Sequence, residues 1–382
     1  MFSARFHWDL RPNRITQLLQ EKRRAGAAVL DLTESNPTHA DLDYPPAIAA
    51  ALASPAILRY DPAPAGLAAA REAVARYYAA RGAAIDAGRI LLTASTSEAY
   101  AYLFKLLANP GDQVLVPQPS YPLFEFLAGM ENVEVGHYPL LYHGEWSIDR
   151  DGLSRALTPR TRAIVVVNPN NPTGSYLKRG ELEFLSSVGL PLISDEVFSD
   201  YAFAPDPARV PAVAASDGPG LRFSMSGLSK ISGLPQMKLG WIAVGGEEAL
   251  RREAMEKLEW IADTYLSVGT PVQTAAAALL DAGETVQRQI RDRTARNLVH
   301  LRDAISGTRA SVLAVEGGWY ATLQMPRVRS EEEWAIDLLS AADVLVQPGF
   351  FYDFAAEAFL VVSLLTPEAV FSEGIARLRS MV

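Results

Sequence analysis

An α/β fold is predicted, with a large domain built on a mainly parallel seven-stranded sheet flanked by helices and a smaller α+β domain beside it. Three observations predict it. First, apolar runs at 90–93, 113–116, 133–136, 163–167, 191–194, 221–224 and 241–244 read as strands. Several are nearly continuous in Val, Ile and Leu, as strands covered on both faces must be. Second, helical segments lie between most of them, including 98–108, 123–130 and 178–188. That alternation builds parallel sheets. Third, the chain changes character after about residue 306. Strands at 311–314, 319–323 and 359–364, with helices at 331–341 and 367–379, make the smaller unit. The N-terminal arm is expected to complete it. The divisions are 1–45 for the arm and its share of the small domain, 46–275 for the large domain, and 276–382 for the small C-terminal domain.

The remaining elements follow in order. Residues 11–25 form a polar helix that leads to a short strand at 29–32. Glu34, Ser35, Asn36, Pro37 and Thr38 form a turn-rich loop. Residues 64–81 carry apolar positions at helical spacing. Residues 247–266 form a long amphipathic helix, and after Pro271 a helical stretch runs to about residue 306.

Composition excludes several classes. The chain has 382 residues, 49% hydrophobic and 21% charged, enough for a large core and two domains. Net charge is −9 with no basic block, which argues against a nucleic-acid partner. No cysteine is present, so disulfides, thiolate metal sites and cysteine nucleophiles are excluded. No metal site is expected, and the composition suits a reducing cytoplasm. The first ten residues hold Arg5, His7 and Asp9 and no apolar leader core. The longest apolar runs, 275–280 and 359–362, are too short to cross a bilayer, so no membrane partner is expected.

Five motifs follow predicted strands. They are Ser95-Thr96-Ser97-Glu98, Pro117-Gln118-Pro119-Ser120-Tyr121-Pro122, Asn170-Asn171-Pro172-Thr173-Gly174, Asp195-Glu196-Val197-Phe198, and Ser229-Lys230. Open α/β sheets bind ligands along the carboxyl edge of their strands, so the five loops are expected to share one pocket. Lys230 sits in a small, polar, glycine-rich setting, Ser226 to Gly233, just before the apolar run at Trp241. An amine there suits a Schiff base with an aldehyde cofactor. Asp195 upstream supplies the carboxylate that the ring nitrogen of pyridoxal phosphate requires.

The order and spacing of these motifs resemble the class I/II enzymes of the aspartate aminotransferase superfamily, fold type I. The likeness runs from Asn36-Pro37 to the C-terminal helix. The resemblance implies the cofactor pyridoxal 5′-phosphate. It implies that Lys230 forms the Schiff base and moves the proton between substrate and cofactor, and that Asp195 holds the pyridinium proton. Asn171 would donate to the cofactor's phenolic oxygen, and Tyr121 would stack on its ring. Thr96 and Ser97, at the start of a helix, and the Ser229 hydroxyl would hold the phosphate. Tyr60, in Arg59-Tyr60-Asp61-Pro62, matches the tyrosine that family dimers send into the neighbouring subunit, which implies a homodimer. Asn36 matches the loop that approaches the substrate, and Trp319 is assigned to the entrance. Plain structural roles stand beside these: a helix cap for Asp195, Thr96 or Ser97, a turn for Asn36 and Asn171, and core packing for Tyr60, Tyr121 and Trp319.

Three positions depart from the family. Its phosphate arginine falls on Lys238, which gives charge without a planar fork. Its phenolate-binding tyrosine falls on Phe198. Its carboxylate-binding arginine falls on Val361. Either the substrate has no carboxylate there, or Arg14, Arg59 or Arg327 substitutes, or the strand aligns differently.

The function expected is transfer of an amino group from an amine or amino acid to a carbonyl acceptor. A lyase or decarboxylase on the same scaffold is the alternative. A regulator with a degenerate domain is disfavoured because the lysine is kept. A nicotinamide dehydrogenase is disfavoured because no G-x-G-x-x-G turn follows an early strand.

Overall fold

The computed structural model describes residues 2, 3, 5, 6, 8 and 11–382. Of the leader-region residues, His7 and Asp9 lie outside the described residues. The strands in chain order are β1 (Leu30–Asp31), β2 (Ile90–Thr93), β3 (Gln113–Gln118), β4 (Glu134–Tyr142), β5 (Trp146–Ile148), β6 (Thr161–Val167), β7 (Leu192–Asp195), β8 (Leu221–Gly227), β9 (Gly240–Gly246), β10 (Ser311–Val312), β11 (Tyr320–Gln324), β12 (Val344–Leu345), β13 (Gln347–Pro348) and β14 (Phe359–Ser363).

The large sheet has eight strands in the order β2-β9-β8-β7-β6-β3-β4-β5. All seven expected strands are in it. The eighth, β5, corrects the expected number. It folds back antiparallel on a β4 that runs to Tyr142, well past the expected end at residue 136. The five central strands β8, β7, β6, β3 and β4 pair in parallel, while β9 runs against both neighbours. That reversal leaves β2 pointing the same way as the central strands. The carboxyl ends of β2, β3, β6, β7 and β8 and the start of β9 therefore share one edge. Of these, β3, β6, β7 and β8 are buried along almost their whole length, as their apolar runs require, while β4 buries only Tyr138.

The second sheet, β10-β11-β14-β13, is antiparallel. The arm adds no strand to this sheet but bonds directly to the end of β14. Its strand β1 lies parallel to β12, and Ser363 at the end of β14 donates its amide to the Leu32 carbonyl. The helix Thr270–Ile305 has 36 residues, about 54 Å at 1.5 Å per residue. Its first part, through Val272, Leu279, Val286 and Ile290, packs in the apolar cluster beneath the shared strand edge. Its last turns, Leu298, Leu301 and Ile305, pack with Leu32, Leu323, Trp334, Val362 and Phe371 in another. One rigid rod thus ties both cores together. Truncating a buried leucine at either end would cost about 2–5 kcal/mol. Among the described residues no helix is long and apolar enough to cross a membrane.

Candidate active site

The shared strand edge opens into a cavity of about 820 Å³, its mouth included. Lys230, Asp195, Asn171, Tyr121, Phe198, Thr96, Ser97 and Ser229 all line it. Each comes from a different local device. Ser95 caps the helix Thr96–Leu107, its hydroxyl accepting from the Glu98 amide at 3.2 Å, while Glu98 accepts from the Ala94 amide at 2.6 Å. This reciprocal cap leaves Thr96 and Ser97 in the first turn, facing the cavity. Backbone N–H groups there have no helical partner and favour an anion.

The two adjacent asparagines divide their work. Asn170 holds loops together, donating to the Pro119 carbonyl and to Thr173, and accepting from the Ser120 hydroxyl at 2.8 Å. Asn171 lines the cavity, and its Oδ1 is buried with no hydrogen-bond partner. Gly174 ends this loop at φ +70°, where a Cβ would sit 2.5 Å from the Gly317 carbonyl oxygen. Only glycine fits that turn.

Asp195 ends β7, buried. Its Oδ1 accepts from the Val197 amide at 3.3 Å and its Oδ2 from the Tyr100 hydroxyl at 3.2 Å. Burial pushes its pKa up to about 6, against the pull of those two donors and of the Lys230 charge. Lys230 lies one helical turn past β8. Burial pushes its amine down to about 8, with Asp195 pulling it back up. Its Nζ stands 5.0 Å above the Trp319 ring and 5.8 Å above Phe198. Its carbonyl accepts from the Tyr201 hydroxyl at 2.5 Å, and Tyr201 packs edge-on against Trp319. The lysine backbone and amine are thus both held by one aromatic group.

Three expected residues lie elsewhere, and Tyr60 is expected only in a neighbouring subunit's cavity. Trp319 is fully buried beneath Lys230 rather than at an entrance; its neighbour Tyr320 lines the cavity instead. The Asn36 Oδ1 accepts from the Thr38 amide and hydroxyl, which spends it on a turn, and Ser35 lines the cavity in its place. Lys238 is exposed at φ +53° and is not part of the lining. Tyr60 is 71% exposed on an outer groove with Pro62, Tyr102 and Ser267. None of Arg14, Arg59 and Arg327 lines the cavity; all are exposed, and Arg14 pairs with Glu332. Val361 is buried in β14, directly opposite Thr322 on β11 and Gln347 on β13.

A buried amine of lowered pKa facing a buried carboxylate, at the carboxyl edge of a parallel sheet, matches one set of known proteins. The description "Aminotransferase class I and II" matches residues 27–378. The chain belongs to this family. Among its curated relatives is the tyrosine aminotransferase of Bos taurus, 32% identical over 56% of this chain and 49% of the relative. Another is the glutamate-pyruvate aminotransferase AlaA of Escherichia coli, 30% identical over 59% of this chain and 56% of the relative. The matches span about half the length of these relatives. The alanine aminotransferase of Pyrococcus furiosus superposes with a TM-score of 0.90 over 100% of this chain and 99% of that one, at 24% identity. An aspartate aminotransferase double mutant of Thermus thermophilus gives 0.85 over 100% of both chains at 23%. Those two likenesses show the fold.

The family's cofactor is pyridoxal 5′-phosphate. The cavity fits it on three counts. Asn171 puts a side-chain amide, whose N–H groups can donate to a phenolic oxygen, on the cavity lining. The Asp195 carboxylate is buried with only two donors. The first turn of a 12-residue helix is open to the cavity beside Ser229.

Sequence reasoning missed Tyr100, Tyr320, Ser35 and Tyr201. Tyr100 is three residues past Ser97, on the same helix face as Thr96, and that i, i+4 spacing was a usable signal. Tyr320 and Ser35 meet only when the small sheet docks, and no local spacing announces them.

Proposed function

We propose that the protein is a pyridoxal-phosphate-dependent aminotransferase that moves an amino group between an amine donor and a carbonyl acceptor. The pairing of Lys230 and Asp195 in one cavity carries this reading. When bound, the cofactor supplies an electrophilic aldehyde and a ring that accepts the electron pair left when a C–H bond breaks beside the amine. This chain's residues do the rest. Lys230, whose amine burial keeps substantially neutral near pH 8, takes the proton from the donor carbon and returns it. Asp195 accepts a hydrogen bond from the ring nitrogen, and a charge-assisted bond of this kind contributes roughly 1.5–3 kcal/mol. Asn171 holds the phenolic oxygen, Tyr121 covers the ring face, and Thr96, Ser97 and Ser229 hold the phosphate. Phe198 offers the ring no hydroxyl.

The working unit is a homodimer in which Tyr60, exposed in the single chain, completes the neighbouring phosphate site. Such a dimer would be cytoplasmic, as its cysteine-free composition suits. Residues 46–275 form the cofactor domain, and 276–382 with 1–45 the small domain. The change of packing partners along the helix Thr270–Ile305 supports that division. Borohydride reduction of the loaded protein, followed by peptide sequencing, is expected to leave the label on Lys230. Label elsewhere, or none, refutes the reading. One equivalent of carbonyl product per site from the donor alone separates transamination from elimination or decarboxylation.

A further inference from the structure

The cavity lining holds one amine and one carboxyl group, and nothing else that ionises near neutral pH. Among the described residues Lys230 is its only cation and Asp195 its only carboxylate. The three tyrosines that line it have pKa values pushed up by burial, so they remain neutral donors. Lys230 is committed to the amine chemistry, so the lining that this chain supplies leaves no cation for a second charged group on the substrate.

The small sheet shows what stands there instead. Side chains on a strand alternate, so Thr322 shares a face with Tyr320, which lines the cavity. Directly opposed residues of an antiparallel pair share that face. Thr322, Val361 and Gln347 therefore form one row across β11, β14 and β13 on the sheet face that carries Tyr320, beside the lining rather than in it. Val361 joins the apolar cluster that contains Tyr320, Tyr352 and Trp319. The Thr322 Oγ1 is buried and has no partner. Gln347 accepts from the Tyr352 hydroxyl through Oε1, which leaves the two N–H groups of Nε2 as donors. Ser35 and Tyr320 pair beside the row. Every group on this wall is apolar or neutral polar.

An ionised carboxylate placed against such a wall loses its water and gains no counter-charge, which is strongly unfavourable. A hydroxyl or amide loses less and finds donors and acceptors already in place. We propose that the donor is a primary amine whose amine-bearing carbon carries a neutral polar substituent, such as hydroxymethyl or carboxamide, in place of a carboxylate. This rests on the aminotransferase reading and names its substrate class. The reaction stays balanced: the donor CH–NH2 becomes C=O while the C=O of a carbonyl acceptor becomes CH–NH2. The oxidation of one is the reduction of the other.

The test compares matched pairs on the loaded enzyme. Calorimetric titration with 3-phenylpropan-1-ol and 3-phenylpropanoate needs no turnover. The alcohol is expected to bind at least tenfold more tightly. Val361→Arg is expected to reverse that order. If the arginine disrupts the buried strand, Thr322→Val serves instead, with a several-fold loss for the alcohol and no change for the carboxylate. Tighter binding of the carboxylate by the wild type overturns the proposal. Loss of that binding in Arg59→Ala would then trace it to a cation outside the cavity. Binding of neither ligand also overturns it. Carbonyl product from phenylalaninol and phenylalanine is measured separately. If the alcohol binds as expected but neither amine is converted, the aminotransferase reading fails and the wall's preference stands.

Discussion

The two walls of the cavity differ in origin. The cofactor wall comes from one sheet: Thr96, Tyr121, Asn171, Asp195 and Lys230 sit just past the ends of β2, β3, β6, β7 and β8. The opposite wall, which we infer faces the substrate, is assembled by docking. Ser35 from the arm and Tyr320 from β11 line it, and the row Thr322, Val361 and Gln347 from β11, β14 and β13 stands beside them. The first wall carries a charge pair held apart from water. The second carries none. A parallel sheet places its loops at one edge whatever the loops contain, so its ligand residues stand in fixed places along the chain. A docked wall has no such rule, and its residues are free to change with the substrate.

The sharpest way to break that contrast is to remove the amine. Lys230→Ala is expected to lower turnover by about 10⁴-fold, the upper range for a lost general acid–base. The borohydride label should vanish with it. A variant that keeps a tenth of the wild-type rate would remove the lysine from the chemistry.

Asp195→Asn comes next, with a loss of two to three orders of magnitude, on the order of one acid–base partner. It also separates activity from stability. The folded carboxyl titrates near 6, above its ordinary 3.8, because burial penalises the charge. The folded state therefore holds its proton more tightly than the unfolded state does. Stability falls as pH rises from about 4 to 6, and the full penalty remains above that window. A rise of that size corresponds to roughly 3 kcal/mol. The cofactor-free Asp195→Asn variant should melt higher than wild type at pH 7 and equally at pH 3.5. Equal melting at both pH values would show that the carboxylate is not strained by its burial.

Tyr100→Phe has a smaller effect on the same group. It removes one of two donors to Asp195, at 3.2 Å, and leaves the ring packed against Phe104 and Phe124. A hydrogen bond to a carboxylate contributes about 1.5–3 kcal/mol, and at 3.2 Å this one lies toward the weak end. The carboxyl pKa should rise further, and the acid limb of kcat/KM should move to higher pH. A purely structural tyrosine would lower the rate without moving the limb.

The sequence was most legible where period and spacing carry the information. The seven expected sheet strands are all present, because continuous apolar runs between helical segments leave little choice. The hairpin strand β5 escaped, since Trp146–Ile148 is only three residues long and alternates weakly. The eight cofactor-wall residues line one cavity because their loops leave one sheet edge. Lys238 does not join them, because a left-handed backbone turn after Pro235–Met237 leaves its side chain exposed, and nothing in its spacing foretold that. Trp319 immediately precedes β11 and Tyr320 begins it, and that one-residue difference exchanges core for cavity. The sequence reached the strand but not its register.

The smallest effect tests whether Phe198 belongs to the first wall alone. Its ring lines the cavity, 5.8 Å from the Lys230 Nζ on the first wall and 6.2 Å between centroids from Tyr320 on the second. Phe198→Tyr adds one hydroxyl at the ring edge. Without cofactor, that hydroxyl is half-buried among aromatic rings and destabilises the protein by about 1 kcal/mol. With cofactor, it has a phenolic oxygen to donate to. A donor to the ionised oxygen favours the ionised form, so the pH midpoint of the bound cofactor's absorbance should fall by about one unit. Thermal stability of the loaded protein should recover at the same time. An unchanged midpoint would mean that the ring edge faces the substrate wall, and the hydroxyl would then alter amine selectivity while leaving the cofactor's titration alone.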